Sequence, residues 1–152
     1  MLNVVSIMLA VSLSFGNRVR ALARLIDRAM LERVSGHGLT VPQYHALREL
    51  FNEEGITQRE LSLRLSTTEP AIMGTLRRME RQQLVRRERD VNDRRKINVS
   101  LAPRGRALRK RLQAHAQALN TAMRHGLSEN DVVKFQSLLA RIEANLAETI
   151  DV

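Results

Sequence analysis

The chain has no cysteine and no tryptophan, and its 152 residues include one tyrosine and three phenylalanines. Without cysteine, disulfides, thiolate metal sites and thiol-based redox sensing are all excluded. The shortage of aromatic rings limits stacking on any bound ligand. The four histidines (His37, His45, His115 and His125) show no metal-ligand spacing such as His-x-x-x-His, and no carboxylate pair accompanies them. A glycine-rich phosphate loop, a Gly-x-Ser-x-Gly elbow and a Ser/His/Asp set are missing too. No cofactor and no metal are expected, and nothing in the chain asks for catalysis.

What the chain does have is positive charge, unevenly placed. The formal net charge is +9. Between Arg77 and Arg111 stand 14 Lys/Arg against 4 Asp/Glu, while the rest of the chain carries 11 against 12. A uniformly basic surface would spread its surplus. A confined basic block is the footprint expected for a polyanion, with affinity that falls steeply with salt.

That block begins in a stretch with strong local signals, Thr57 to Leu101. Thr57 with Glu60 three residues on is a capping signal, and Leu61 and Leu65 then recur on one helical face. Ser66-Thr67-Thr68 breaks the pattern with residues that prefer caps and turns. A second helix is predicted from about Thr68, with Pro70 tolerated in its first turn. Ile72, Leu76 and Met79 form its apolar stripe, leaving Thr67, Thr68, Glu69, Ala71, Thr75 and Arg78 to face outward. One bracing helix and one helix with a small polar surface make a helix-turn-helix, suited to the major groove. Beyond it, Leu84 to Arg89 and the alternating Ile97, Val99 and Leu101 read as two strands around an Asp/Asn-rich turn. The hairpin tip is densely cationic, so the whole stretch predicts a winged helix.

The run QLVRRERDVNDRRKINVSLAPRG resembles the wing and following helix start of the MarR family of bacterial transcription regulators. The family's Asp-x-Arg signature stands as Asp93-Arg94-Arg95, with LTVPQYHAL before it and a long helical tail after it. The resemblance runs roughly from Leu39 to Leu146, far more than a lone helix-turn-helix. It implies that Arg95 enters a minor groove while a salt bridge from Asp93 holds the loop. Narrow minor grooves carry enhanced negative potential that attracts arginine. Arg86, Arg87, Arg94 and Lys96 are then expected on phosphates, which position without specifying sequence. The resemblance also implies a pocket for small aromatic or phenolic compounds, which would place Arg24, His37, Tyr44 and His45 near it. Two positions depart from the pattern. Gln83 stands where the family usually has glycine, and Ser66 replaces the glycine often seen between the two helices.

Elsewhere the chain reads as helices. Residues 1–16 are apolar, lack the positive start of a signal peptide, and are too short and serine-rich for a membrane span. A helical extension buried against a second subunit is expected there. Asn17 to Val34 is a helix ended by Ser35-Gly36-His37-Gly38, and Thr40 with Gln43 opens another to about Asn52. Ile56 is a candidate for a minimal strand beside the wing. Pro103 starts a long helix whose Leu108, Leu112, His115, Leu119 and Ala122 alternate steps of four and three. Gly126 breaks it. Ser128 and Asp131 cap a final helix with Val132, Phe135, Leu139, Ile142 and Leu146 in the same rhythm.

The fold expected is therefore mainly α with a small β-hairpin, one domain in all. Residues 40–101 form the winged helix-turn-helix lobe, and 1–36 with 102–152 form helical dimerisation arms. The function expected is a homodimeric, sequence-specific DNA-binding regulator, a repressor released by a small ligand. It would bind near-palindromic double-stranded DNA, without a membrane, in the cytoplasm at the nucleoid. The alternatives are a non-specific nucleic-acid-binding or architectural protein, or a ligand-binding or enzymatic protein reusing a winged-helix scaffold.

Overall fold

The computed structural model describes residues 14–150. The apolar extension expected over residues 1–16 therefore lies almost wholly outside the described residues. Phe15 and Gly16 open the first helix, α1, Phe15–Val34. A 3-10 turn at Ser35–His37 follows, and Gly38 closes it at φ 71°, in the left-handed region that glycine reaches without a Cβ clash. Helix α2, Val41–Asn52, begins as its capping signal predicts: the Thr40 N–H donates to Gln43 Oε1 at 3.0 Å.

The helix-turn-helix comes next. Strand β1 is Ile56–Thr57, helix α3 is Gln58–Arg64 and helix α4 is Glu69–Arg81. Thr57 Oγ1 accepts the Glu60 N–H at 3.1 Å, and Thr68 Oγ1 accepts the Ala71 N–H at 3.4 Å. The Glu60 carboxylate does not reach back to the cap but pairs with Arg64. Strands β2, Val85–Arg89, and β3, Ile97–Leu101, form the wing. The sheet is antiparallel in the order β1-β3-β2, with Ile56 opposite Val99 and Val85 opposite Leu101. The minimal strand at Ile56 thus pairs with the wing, as expected.

The core of this unit draws on every element. Leu47, Leu50, Leu61, Leu76, Met79, Leu84 and Val99 have no exposed surface. Helix α5, Pro103–Arg124, starts against the wing base, where Gly105 lies so close to the Leu84 carbonyl that no side chain fits. The chain divides into two compact units, one up to Ala116 and one from Gln117 onward. In the second, Gly126 turns the chain at φ 78° and helix α6 covers Glu129–Ile150. Ser128 and Asp131 cap α6 reciprocally, with Ser128 Oγ accepting the Asp131 N–H at 3.1 Å and Asp131 Oδ2 accepting the Ser128 N–H at 3.0 Å. The α6 stripe stays largely uncovered, with Phe135 49% and Leu146 58% exposed. Along α1, Val19 (43%), Leu22 (44%) and Leu25 (64%) are likewise exposed. No helix among the described residues is long and apolar enough to cross a membrane.

Candidate nucleic-acid interface

Helix α4 turns its apolar stripe inward and its first turn outward. Ile72, Leu76 and Met79 are buried, while Thr67, Thr68, Glu69, Ala71 and Arg78 are exposed. Thr75 corrects the expectation. It is 5% exposed, because position 75 lies three after Ile72 and four before Met79, within the buried stripe. Its hydroxyl tolerates that environment by donating to the Ala71 carbonyl at 3.2 Å. Gly74 shares the outer face, and a Cβ there would meet nothing within 4 Å. Among the described residues, then, no close backbone approach requires that glycine.

The wing tip is built around two aspartates. Asp93 Oδ1 accepts from both the backbone N–H and Nε of Arg95 at 3.1 Å, and Oδ2 takes Nη2 at 3.4 Å. The resemblance implies a loop-holding salt bridge from Asp93; its partner in the structure is Arg95, whose side chain is 91% exposed. The Arg95 guanidinium, then its N–H, holds the Asp93 carboxyl below the usual carboxylate range. Asp90, not singled out by sequence, does as much. It accepts the N–H groups of Asn92 (2.8 Å) and Asp93 (3.0 Å) and the Asn98 side-chain amide (2.9 Å). The Asn98 amide leads those bonds in holding the Asp90 carboxyl low as well. The clue was present: an aspartate that folds its side chain onto the backbone two residues on is an Asx turn.

The cationic residues divide by strand face. Arg86, Arg94 and Lys96 are exposed. Arg87, expected on phosphates, is instead drawn inward. Strand alternation places it on the face of buried Val85. There its Nε and Nη2 donate to Glu80 Oε2 at 3.0 and 2.6 Å, and Nη1 reaches Gln58 Oε1 at 3.3 Å. With its side chain 18% exposed, Arg87 ties β2 to α4 and α3. Glu54 makes a similar strut at the wing base. Its carboxylate accepts the Leu101 N–H at 3.0 Å and Arg106 Nη2 at 2.6 Å, and Arg106 above all depresses its pKa.

The residues expected at a ligand pocket differ in their surroundings, although the Tyr44 and His45 rings stand 5.3 Å apart. Arg24 is exposed on α1, and Tyr44 is buried at 5%, where burial pushes its phenol up. His37 pairs with His115 across 3.0 Å. His45 does line a cavity of about 420 Å³, together with Pro42 and Arg48 of α2 and Arg64, Thr67, Ala71 and Thr75 of the helix-turn-helix. No cluster of three or more metal-ligating side chains occurs among the described residues.

Comparisons with known proteins agree on what this architecture is. Residues 39–97 match the MarR family model. The chain is 36% identical over 91 residues to the HTH-type transcriptional regulator TtmR of Methylorubrum extorquens, an alignment covering 60% of this chain. It spans about half that regulator's length (47%). It is 32% identical over 114 residues, 75% of each chain, to the homoprotocatechuate degradative operon repressor of Escherichia coli. The fold matches the S. aureus MepR–DNA complex at a TM-score of 0.82 and 22% identity, covering 87% of this chain and 98% of that one. With the wing's Asp93–Arg95 bridge and the exposed first turn of α4 in place, the chain belongs to the MarR family of DNA-binding transcription regulators.

Proposed function

We propose that the protein works as a homodimeric repressor that reads a near-palindromic operator, acting in the cytoplasm at the nucleoid. The reading rests chiefly on one observation. The exposed residues of α4 (Thr67, Thr68, Glu69, Ala71 and Arg78) and the exposed cations of the wing (Arg86, Arg94, Arg95 and Lys96) lie in one compact unit. Arg78 suits a guanine edge and the threonines a thymine methyl, while the wing cations suit phosphates and a narrow minor groove. The apolar stripes left open on α1 and α6 support pairing of two copies, which would present two recognition helices to two half-sites. Likeness to the homoprotocatechuate operon repressor supports repression rather than activation.

Release by a small organic ligand is the second part of the proposal, and the 420 Å³ cavity supports it. Its volume falls within the roughly 300–1,000 Å³ usual for ligand sites. Its wall is shared by His45 and Arg48 of α2 and by Ala71 and Thr75 of the recognition helix, so an occupant would touch the element that reads DNA. An aromatic or phenolic acid fits a wall carrying two arginines. For release, it must bind the DNA-free arrangement better than the DNA-bound one.

The test selects duplexes from a random pool with the purified protein, then compares the winner with a scrambled duplex at moderate salt. A two-fold-symmetric motif bound by two copies is the expected result. Equal binding to both duplexes would leave a non-specific architectural protein.

A further inference from the structure

His37 and His115 lie far apart in the chain, yet their Nε2 atoms stand 3.0 Å apart. Their ring centres are 5.3 Å apart. That distance is the N–N separation plus two ring radii, so the nitrogens face each other head-on. At the same N–N separation, two ligands on one metal ion would point at a shared third point, and their ring centres would stand closer together. The arrangement is that of a hydrogen bond, in which one Nε2 donates and the other must be unprotonated to accept.

The bond sits at the start of a line of contacts leading to the recognition helix. His37 adjoins Gly38, whose carbonyl accepts Gln82 Nε2 in a longer contact of 3.5 Å. Gln82 caps the C-terminal end of α4. Its Oε1 accepts Gln43 Nε2 at 2.8 Å, and its backbone carbonyl accepts Arg104 Nη1 at 2.8 Å. Gln43 is 2% exposed and holds the α2 cap through Thr40. The next residue, Gln83, is held at φ 59°, a left-handed conformation that costs a side-chain-bearing residue energy. The end of the recognition helix is therefore strained and is fixed by polar contacts from α2, α5 and the loop bearing His37.

We propose that the His37–His115 bond is a proton-sensitive latch that sets the C-terminal end of the recognition helix through Gly38 and Gln82. When both imidazoles carry protons, no acceptor remains and two cations meet head-on. The charged groups on the packed elements are mostly cationic, the exposed Glu32 beside Arg33 at the end of α1 being an exception. An arginine stands four residues before each histidine, Arg33 on α1 and Arg111 on α5. Arg109 donates to the Phe51 carbonyl, and Arg104 to that of Gln82. The end of α4 adds Arg78 and Arg81, and its Glu80 is held by Arg87. On α2, Glu49 pairs with Arg48, and His45 faces Asp27. Among the described residues neither imidazole of the pair lies within salt-bridge distance of a carboxylate. Acidification opens the latch, frees the Gly38 loop and lets Gln82 and Gln83 relax, which misplaces α4 against the groove.

The inference rests on the DNA-binding reading, and the experiment separates the two. Affinity for the selected duplex is measured between about pH 8 and 5.5 at fixed ionic strength, the range over which imidazoles ordinarily titrate. It is compared among the native protein, His115→Gln, which cannot titrate there, and Gln82→Ala, which breaks the line. Native affinity should drop about fivefold more than that of His115→Gln, the worth of one ordinary hydrogen bond. Gln82→Ala should lose that extra drop. In the DNA-free protein, the amide resonances of Gln82 and Gln83 should move with pH in the native chain and stay still in His115→Gln. Parallel pH profiles for native and His115→Gln, or unmoved Gln82 and Gln83 amides in the native chain, overturn the latch. A native protein that binds no duplex at any pH overturns the DNA reading instead, and the amide shifts still decide the latch.

Discussion

A Cβ added to Gly105 would lie 2.1 Å from the carbonyl oxygen of Leu84. That oxygen already accepts the Ala102 N–H at 3.0 Å, so neither backbone is free to withdraw. The contact joins the first turn of α5 to the residue that leads into the wing. Gly105→Ala should destabilise the protein by about 2–4 kcal/mol despite alanine's better helix propensity. Thermal or urea unfolding of the two proteins checks this.

Gly74→Ala should behave in the opposite way. The added methyl meets open space in mid-helix and should stabilise the fold by about 0.5–1 kcal/mol. Because position 74 shares the outer face with Ala71 and Arg78, duplex affinity should fall even as the melting temperature rises. A rise in both would remove α4's outer face from the interface.

The two departures from the family's glycines, Ser66 and Gln83, both adopt positive φ, at 48° and 59°. They are the non-glycine residues that do so among those described. Ser66→Gly and Gln83→Gly should each stabilise by roughly 0.5–1 kcal/mol, since glycine reaches this region without a Cβ penalty. Denaturant midpoints would show it. No change would mean that the native turns relax at no cost.

Arg95→Ala and Arg87→Ala should separate cleanly. Arg95 is 91% exposed and held by Asp93, so its loss should weaken binding to all duplexes and reduce the salt slope by about one. Arg87 is committed to Glu80 and Gln58, so its loss should cost roughly 1 kcal/mol of stability and leave the salt slope nearly intact. Titrating duplex binding at several salt concentrations decides between them.

The wing loop should loosen in acid. Asp90 and Asp93 both have carboxyls held below their ordinary values by bonds made in the folded loop. Groups of this kind contribute stability above their unfolded pKa, about 3.9, and lose it as pH falls through the lower folded value. Protection of the Asn92, Asp93 and Arg95 amides, measured as exchange relative to the unfolded chain at the same pH, should fall below about pH 4 and hold above about pH 5. Asp90→Asn should weaken this dependence.

Much of this was readable from local signals. The caps at Thr40, Thr57, Thr68 and Ser128, the left-handed Gly38 and the alternating wing strand each need residues only a few positions apart. Family likeness implies a salt bridge from Asp93, and the partner that the structure gives it, Arg95, is also a near neighbour. What escaped depended on distant partners or on face. Arg87 is bound by Glu80 and Gln58 because strand alternation places it beside Val85, a parity that cationic crowding hid. Thr75 is polar and so reads as outward, although its helical position lies within the apolar stripe. The His37–His115 pair and the Gln43–Gln82–Gly38 contacts join residues with no shared sequence pattern.

The sheet order has a bearing on the duplex itself. β3 is flanked on both sides, by β1 and by β2, and Glu54 fastens its far end to α5. The finger therefore has no hinge at its root, and it must travel with the helix-turn-helix as one stiff calliper. A binding site whose major and minor grooves are out of step with that calliper has to twist or bend to fit. Base steps between the contacts that deform easily, such as TA and CA, should then be favoured at positions no side chain touches.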